Sequence, residues 1–372
     1  MRMPRSATTL FRSCQLQRRW NSTSSSLPPP PPTTAFTNLS SKRKLIALWG
    51  PDASKFLNGL TTNHLPPAGS TEGLYNGFLT PQGRVLYDTF IYPATHSSHW
   101  TNIANSTDQA YFIEVDADAH ADLQLHLKRY KLRAKCKIRS LEDQFTIYSA
   151  WGLPTAPSYS VGCLDPRAPK MGQRLVLPAE VKPEIDAEEA SVEQYTLRRY
   201  MQGVPEGVSE IFSGSALPLE SCMDYMSGVD FRKGCYVGQE LTVRTYHTGV
   251  TRKRILPVQL YNLDQHEAIP TSLTYHQMTT LPTPPSQANL TRPGKKGRSA
   301  GKFCGGIGNI GLALARLEIV GATDTKDAES VEDKLVVEWE EEAAQEDGEK
   351  EKRSIGMRAF VPEWWPREGS QE

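Results

Sequence analysis

The chain has 372 residues, no net charge at neutral pH, 27 prolines, 27 glycines, six cysteines and 23% charged side chains. That composition excludes a disulfide-stapled miniprotein, a collagen-like chain and a membrane-embedded bundle, and the length predicts two or three domains with a substantial core. The zero net charge conceals an asymmetry, because the first 51 residues hold eight Lys or Arg and no acid, leaving 34 basic against 42 acidic side chains in the rest.

Arg2, Arg5, Arg12, Arg18 and Arg19 are interspersed with Leu10, Phe11, Leu16 and Trp20, and a serine-rich run from Ser22 to Ser26 follows. Arg-rich, Ser-rich and acid-free, this segment reads as a mitochondrial presequence and predicts a matrix protein. It holds no Lys or Arg block of the kind that binds nucleic acid, and no stretch of the chain approaches the roughly 18 apolar residues of a membrane span. Pro28 to Pro32 read as a polyproline spacer, so residues 1–41 are expected to be disordered and the fold to begin near Lys42.

Arg43 to Trp49 predicts a strand, and Gly50-Pro51-Asp52 opens a helix with Ala53, Phe56, Leu57 and Leu60 on one face. Leu74 to Leu79 and Arg84 to Tyr92 form a hairpin around Thr80-Pro81-Gln82-Gly83, a type I turn signature. Tyr111 to Val115 is a further strand. Leu123, Leu127 and Tyr130 mark a helix to about Lys131, before strands at Arg133 to Ile138 and Phe145 to Trp151. Ser191 to Gln202 fits a helix stopped by Gly203 and Pro205. Helix alternating with antiparallel strand predicts the α+β class for residues 42–248, in two subdomains. From Arg252 the helical signal gives way to strands at Arg254 to Leu260, Ile310 to Val320, Lys334 to Trp339 and Ser354 to Val361, a separate β domain over 249–366. Its Pro/Thr/Ser-rich stretch near 266–298 and acidic stretch near 323–352 read as disordered insertions.

No C-x-x-C pair, HExxH, P-loop or GxSxG motif occurs, which argues against self-contained metal or nucleotide chemistry. Gly305, Gly306, Gly308 and Gly311 lead into a strand instead of a helix and read as a turn or bulge. The informative segment is Phe231 to Glu240. A short strand, Gly228 to Phe231, is expected to meet a tight turn at Gly234, with a helix from Val237 to Arg244 placing Cys235 at a helix N-terminus beside Lys233. Both features favour thiolate over thiol. From spacing alone, Cys235 stands between a reactive thiolate and a small buried hydrophobe. Cys136, Cys163, Cys222 and Cys304 read as packing residues. A thiol-hydrolase dyad of Cys235 with His247 has no accompanying oxyanion-hole motif.

The octapeptide KGCYVGQE, Lys233 to Glu240, resembles the signature of the YgfZ-type folate-binding-fold family, whose mitochondrial members, in fungi among others, help assemble iron-sulfur clusters. Phe56 to Asn63, Gly77 to Arg84, Tyr130 to Ala134, Gly203 to Glu206, Leu217 to Glu220 and Gly311 to Leu314 match in the same order. The resemblance implies the fold of the glycine cleavage aminomethyltransferase, or T-protein, ending in a C-terminal β-barrel. It further implies a tetrahydrofolate-sized cavity between the α+β region and the β domain, reached by Asn63, Tyr75, Asn76, Asp88 and Arg199. Two departures from the T-protein pattern are visible: Val85-Leu86-Tyr87-Asp88 keeps one carboxylate where that enzyme has adjacent aspartates, and Met201 stands where it has a glutamate. The implied role is an assembly factor for [4Fe-4S] client enzymes. Cys235 would share a [2Fe-2S] cluster with an A-type scaffold protein, since one thiolate cannot supply the four ligands such a cluster takes. Arg232, Lys233, Gly234, Tyr236, Gly238, Gln239, Glu240 and Arg244 would support it, the two flanking cations stabilising thiolate or cluster sulfur. The alternative is a tetrahydrofolate-dependent one-carbon transferase.

Overall fold

The structure, a computed structural model, describes residues 27–66, 70–98, 100–101, 108–154, 161–263, 269–293, 299–320, 335–342 and 350–366. The presequence segment and most of the acidic stretch after Gly321 lie outside the described residues.

The chain enters the fold through β1 (Ala35–Asn38), then β2 (Arg43–Trp49) and helix α1 (Ala53–Asn58). Strands β3 (Leu74–Leu79), β4 (Val85–Pro93) and β5 (Ala110–Asp116), helix α2 (His120–Lys131) and β6 (Lys137–Ser140) complete a first sheet of order β3-β4-β5-β2-β6. Side-chain alternation along its strands gives it two apolar faces. Ile46, Leu48, Ile113 and Val115 pack with Ala53 and Leu57 of α1 and Leu123 and Leu127 of α2. On the other face, Leu45, Ala47, Phe90 and Phe112 pack with Ile147, Trp151 and Val176 of a second sheet.

That second sheet is built from β1, β7 (Phe145–Trp151), β8 (Gly162–Leu164), β9 (Gln173–Pro178) and β10 (Glu188–Glu189), in the order β10-β1-β7-β9-β8. Helix α3 (Val192–Gln202) opens on a capping box between Ser191 and Gln194 and stops at Gly203, which takes φ +71°. Leu197 and Tyr200 of α3 pack on Ile255, Cys304, Ile310 and Leu312, seating the last domain. This domain is a closed barrel, β11-β14-β13-β12-β15-β16, whose strands are β11 (Lys253–Tyr261), β12 (Asn289–Thr291), β13 (Gly301–Ile307), β14 (Ile310–Arg316), β15 (Leu335–Glu342) and β16 (Lys350–Ala359). The glycine cluster is a bulge between Phe303 and Gly305 followed by a turn with Gly308 at φ +59°. No helix among the described residues is long and apolar enough to cross a membrane.

Three expectations are corrected. The spacer is not disordered up to Lys42: the carbonyls of Pro28, Pro30 and Pro32 accept hydrogen bonds from Tyr275, Gln194 and Trp151, and β1 pairs with both β7 and β10. A polyproline segment keeps its carbonyls free, so it can be tied down by donors from elsewhere. The stretch near 266–298 is not simply a disordered insertion either, for it contributes β12, which pairs with β13 and β15 to close the barrel. The strand expected over Arg133 to Ile138 begins only at Lys137, because Leu132 at φ +38° ends α2 and Asp52 Oδ2 holds the Lys135 amide in a loop at 2.7 Å.

Candidate functional site

Residues 231–238 form a loop without regular structure that leads into helix α4 (Gln239–Thr248). Cys235 is exposed on it, whereas Cys136, Cys163, Cys222 and Cys304 are buried. Burial pushes those four thiols up, Cys222 and Cys304 to about 12, so they stay protonated packing groups at neutral pH. The structure thus takes the alternative in which Cys235 is not a small buried hydrophobe.

The loop is fixed from both ends. Asp230 Oδ1 accepts the Arg232 amide at 2.8 Å, the Val237 amide donates to Gly59 O at 3.0 Å, and Gln239 Oε1 accepts the Tyr236 amide at 3.1 Å. Gly238 takes φ +81°, and a Cβ there would lie 2.2 Å from Thr80 O in the β3–β4 turn. Only glycine permits that backbone-to-backbone approach. A left-handed residue cannot belong to a helix, so α4 starts at Gln239, two residues later than expected, and Gly228 to Phe231 forms no strand. Around Gly234 a Cβ would meet nothing within 4 Å, so the approach to the neighbouring Cys235 is open. Arg232 on the loop and Glu240 and Arg244 on α4 are exposed, Glu240 in the first turn of α4, where a carboxylate complements the helix dipole. Phe231 stacks on Tyr246 with ring centroids 3.6 Å apart, tying the loop to α4.

Lys233 does not act as expected. Its Nζ donates to the carbonyls of Asn58, Thr61 and Asn63 at 2.9, 2.5 and 3.1 Å and sits 4.8 Å from the centre of the Tyr236 ring. This is a structural clamp that bolts the Cys235 loop to the segment after α1, and burial lowers the ammonium to about 8. The cation is occupied there, which leaves Arg232 as the exposed flanking charge. Lys233→Met keeps the stem but strands the three carbonyls, so a loss of roughly 3 kcal/mol in urea-denaturation stability is expected. A wild-type midpoint would show that these bonds do not hold the loop. Lys233→Glu, which sets a carboxylate against the same three carbonyls, is expected to be worse still.

Of the residues expected to hold folate, Tyr75, Asn76, Asp88 and Arg199 are buried and Asn63 is half-buried, but their polar groups are largely spent on other residues of the protein. Asp88 accepts from Arg43 Nη1 at 3.2 Å and from the Gly207 amide at 3.0 Å. Arg199 clasps both Glu210 oxygens at 2.9 and 3.0 Å. Asn63 donates to the carbonyls of Tyr75 and Ser227, and Asn76 Oδ1 accepts from Thr89 at 2.9 Å. Tyr75 Oη, Asn76 Nδ2 and Arg199 Nε are the polar atoms of the set that are buried without a hydrogen-bond partner. Pterin recognition draws on a carboxylate acceptor for ring N–H groups, and the one aspartate of the set is neutralised by Arg43. The described cavities, of about 240, 680 and 340 Å³, are lined by other residues. These pairings leave the set no uncompensated carboxylate for a pterin.

What stands there instead is a buried ionic network that motif matching misses. Glu114 on β5 accepts from Arg43 at 2.8 Å and Arg174 at 3.1 Å, and Glu206 accepts from Arg174 at 2.5 Å, Arg167 at 2.7 Å and Tyr195 at 2.9 Å. Asp165 forks onto Arg167. The network links the first sheet, the second sheet and α3. Burial alone would raise the carboxyls of Glu206 and Asp165, but the adjacent guanidinium groups hold both below the usual carboxylate range, Glu206 well below it. Depressed carboxyls contribute stability that is complete above their unfolded values near pH 4 and is lost as pH falls below. The urea midpoint is therefore expected to hold between pH 7 and 5 and to drop steeply below pH 4; a midpoint unchanged at pH 3 would contradict the pairing.

Among the described residues, no three His, Cys, Asp or Glu side chains converge as a metal site, and no hydrogen bond joins Cys235 to His247, which is exposed at the end of α4.

Residues 252–367 match the family model described as CAF17, C-terminal beta-barrel domain. The fold is similar to that of the glycine cleavage system aminomethyltransferase T from Bartonella henselae, with a TM-score of 0.59 and 12% identity over 89% of this chain and 86% of that one. At the sequence level the chain is similar to proteins named iron-sulfur cluster assembly factor IBA57 homolog, mitochondrial. It is 42% identical to that of Aspergillus oryzae over 87% of this chain and 80% of the relative. For Aspergillus fumigatus the figures are 41%, 96% and 88%, and for Pyricularia oryzae 43%, 88% and 84%. With a T-protein-like fold, a matching barrel and likeness along most of both chains, the protein belongs to the IBA57 family of mitochondrial iron-sulfur cluster assembly factors.

Proposed function

We propose that this mitochondrial iron-sulfur cluster assembly factor takes hold of its cargo through Cys235, supplying one ligand to a [2Fe-2S] cluster whose other ligands come from cysteines of an A-type scaffold, on the way to [4Fe-4S] client enzymes in the matrix. The observation that carries this reading is the contrast among the thiols: Cys235 is exposed on a clamped loop and the other four described cysteines are buried. A cluster of this kind takes about four protein ligands, and one exposed thiol calls for a partner. The Lys233 clamp and the Gly238 contact hold the loop in place, so the sulfur meets the partner pre-positioned. Exposed Arg232 and Arg244 add positive charge beside an anionic cluster.

Tetrahydrofolate-dependent one-carbon transfer receives no support from the interior residues, since Asp88 and Arg199 are already paired. Native mass spectrometry of the protein mixed with a reduced A-type scaffold, ferric iron and sulfide tests the proposal. A one-to-one complex carrying two irons and two sulfides is expected. Assembly of the same cluster on this chain without the scaffold would refute the shared-ligand reading.

A further inference from the structure

Residues 123–139 contain seven Lys or Arg and no acid. They run from the body of α2 through its C-terminus into β6. The inner face of α2 is spent on the core, with His120, Leu123 and Leu127 buried. Leu125, away from that inner face, is 59% exposed, and Leu132, the residue that ends the helix, is 90% exposed. Lys128 and Arg129 are exposed between them, and Arg133, Lys135 and Lys137 follow. A leucine at φ +38° on an exposed helix end is unusual, because non-glycine residues rarely adopt that backbone. Lysines 131, 135 and 137 also line, with Trp49, Cys136 and Asp108, a cavity of about 340 Å³ at the foot of this face. Lys137 Nζ lies 5.9 Å from the centre of the Trp49 ring. The carboxylates nearby are Asp122, exposed in the first turn of α2, Asp108 on the cavity wall and Asp52, whose Oδ2 is held by the Lys135 amide.

We propose that this face is a docking surface for an anionic phospholipid membrane, with a lipid phosphate seated among Lys131, Lys135 and Lys137 and with Leu132 and Leu125 entering the acyl boundary. Exposed leucines set among cations are the arrangement of helices that lie in a membrane interface, where apolar burial and attraction to anionic headgroups act together. Nucleic acid would use the cations and leave the leucines in water, whereas an anionic bilayer uses both. Free phosphate would use the cavity alone. This inference is independent of the cluster chemistry at Cys235.

The test is co-sedimentation of the purified full chain with vesicles of phosphatidylcholine alone or with 30% cardiolipin. Binding is expected only with cardiolipin, falling at least tenfold between 0.1 and 0.5 M salt as the charges are screened. Leu132→Asp, at a solvent-exposed position, is expected to weaken partition about tenfold. Lys131→Glu combined with Lys135→Glu is expected to weaken it at least as much, with thermal melting and Cys235-dependent cluster formation unchanged for both variants. Equal retention by neutral vesicles, or none by cardiolipin vesicles, overturns the proposal. So does tight binding of inorganic phosphate or of a short RNA that is indifferent to Leu132→Asp while vesicles are ignored.

Discussion

Cells that rely on the Cys235→Ser protein are expected to lose mitochondrial [4Fe-4S] enzyme activity while the protein itself accumulates normally. The substitution changes one exposed atom on a loop whose anchors lie elsewhere, in the Lys233 clamp, the Gln239 contact and the Gly238 approach to the β3–β4 turn. Surface changes of this kind cost under about 0.5 kcal/mol, a shift in melting temperature of a few degrees at most. Serine keeps the size and loses the soft thiolate that an iron-sulfur cluster binds. Aconitase-type activity in mitochondrial extracts is the readout, with the abundance of the variant measured alongside it. Full activity in those cells would make Cys235 a structural residue.

The largest stability effect is expected at Arg174, and it separates the interior from the site. Arg174 bridges Glu114 and Glu206 and its guanidinium lies 4.8 Å from the centre of the Phe90 ring. Arg174→Met preserves much of the stem and removes the charge, leaving two fully buried carboxylates with fewer cations. Breaking one partner out of a buried ionic set costs about 3–5 kcal/mol, which for a chain of this size lowers the melting temperature on the order of 10 °C. The loss is expected to be global, because the network joins both sheets and α3. A shift below about 2 °C would mean that water or neighbouring groups compensate the two buried carboxylates.

The parts of the fold that were legible in the sequence are those written in local chemistry. The β3–β4 hairpin follows from Pro81 and Gly83, α3 from its Ser191 cap and Gly203 stop, and the barrel bulge from the glycines around Phe303. The parts that stayed hidden depend on distant partners. β1 lies just past a polyproline run and is a strand only because β7 and β10 flank it. β12 sits in a Pro/Thr/Ser-rich stretch and is recruited by barrel closure. At the site, Cys235 and the glycine at 238 could be singled out from the octapeptide, but Lys233 looked like a cation for the thiolate because nothing local reveals three carbonyls from residues 58 to 63. The ionic network did leave a trace: Glu114 inside Tyr111-Phe112-Ile113-Glu114-Val115, and Arg174 beside Leu175-Val176-Leu177, are charges in strands that are apolar around them. A charge so placed must find a buried partner. Asp88 and Arg199 are ligand groups only on the family resemblance, and their partners are internal.

The most direct measurement is the visible absorption of a [2Fe-2S] cluster assembled anaerobically on an equimolar mixture of this protein and an A-type scaffold, compared between wild type and Cys235→Ser. Wild type is expected to give a cluster spectrum that needs both proteins and co-elutes with the heterocomplex, and Cys235→Ser to give none beyond what the scaffold holds alone. An undiminished heterocomplex spectrum with Cys235→Ser would contradict a ligand role for this thiol.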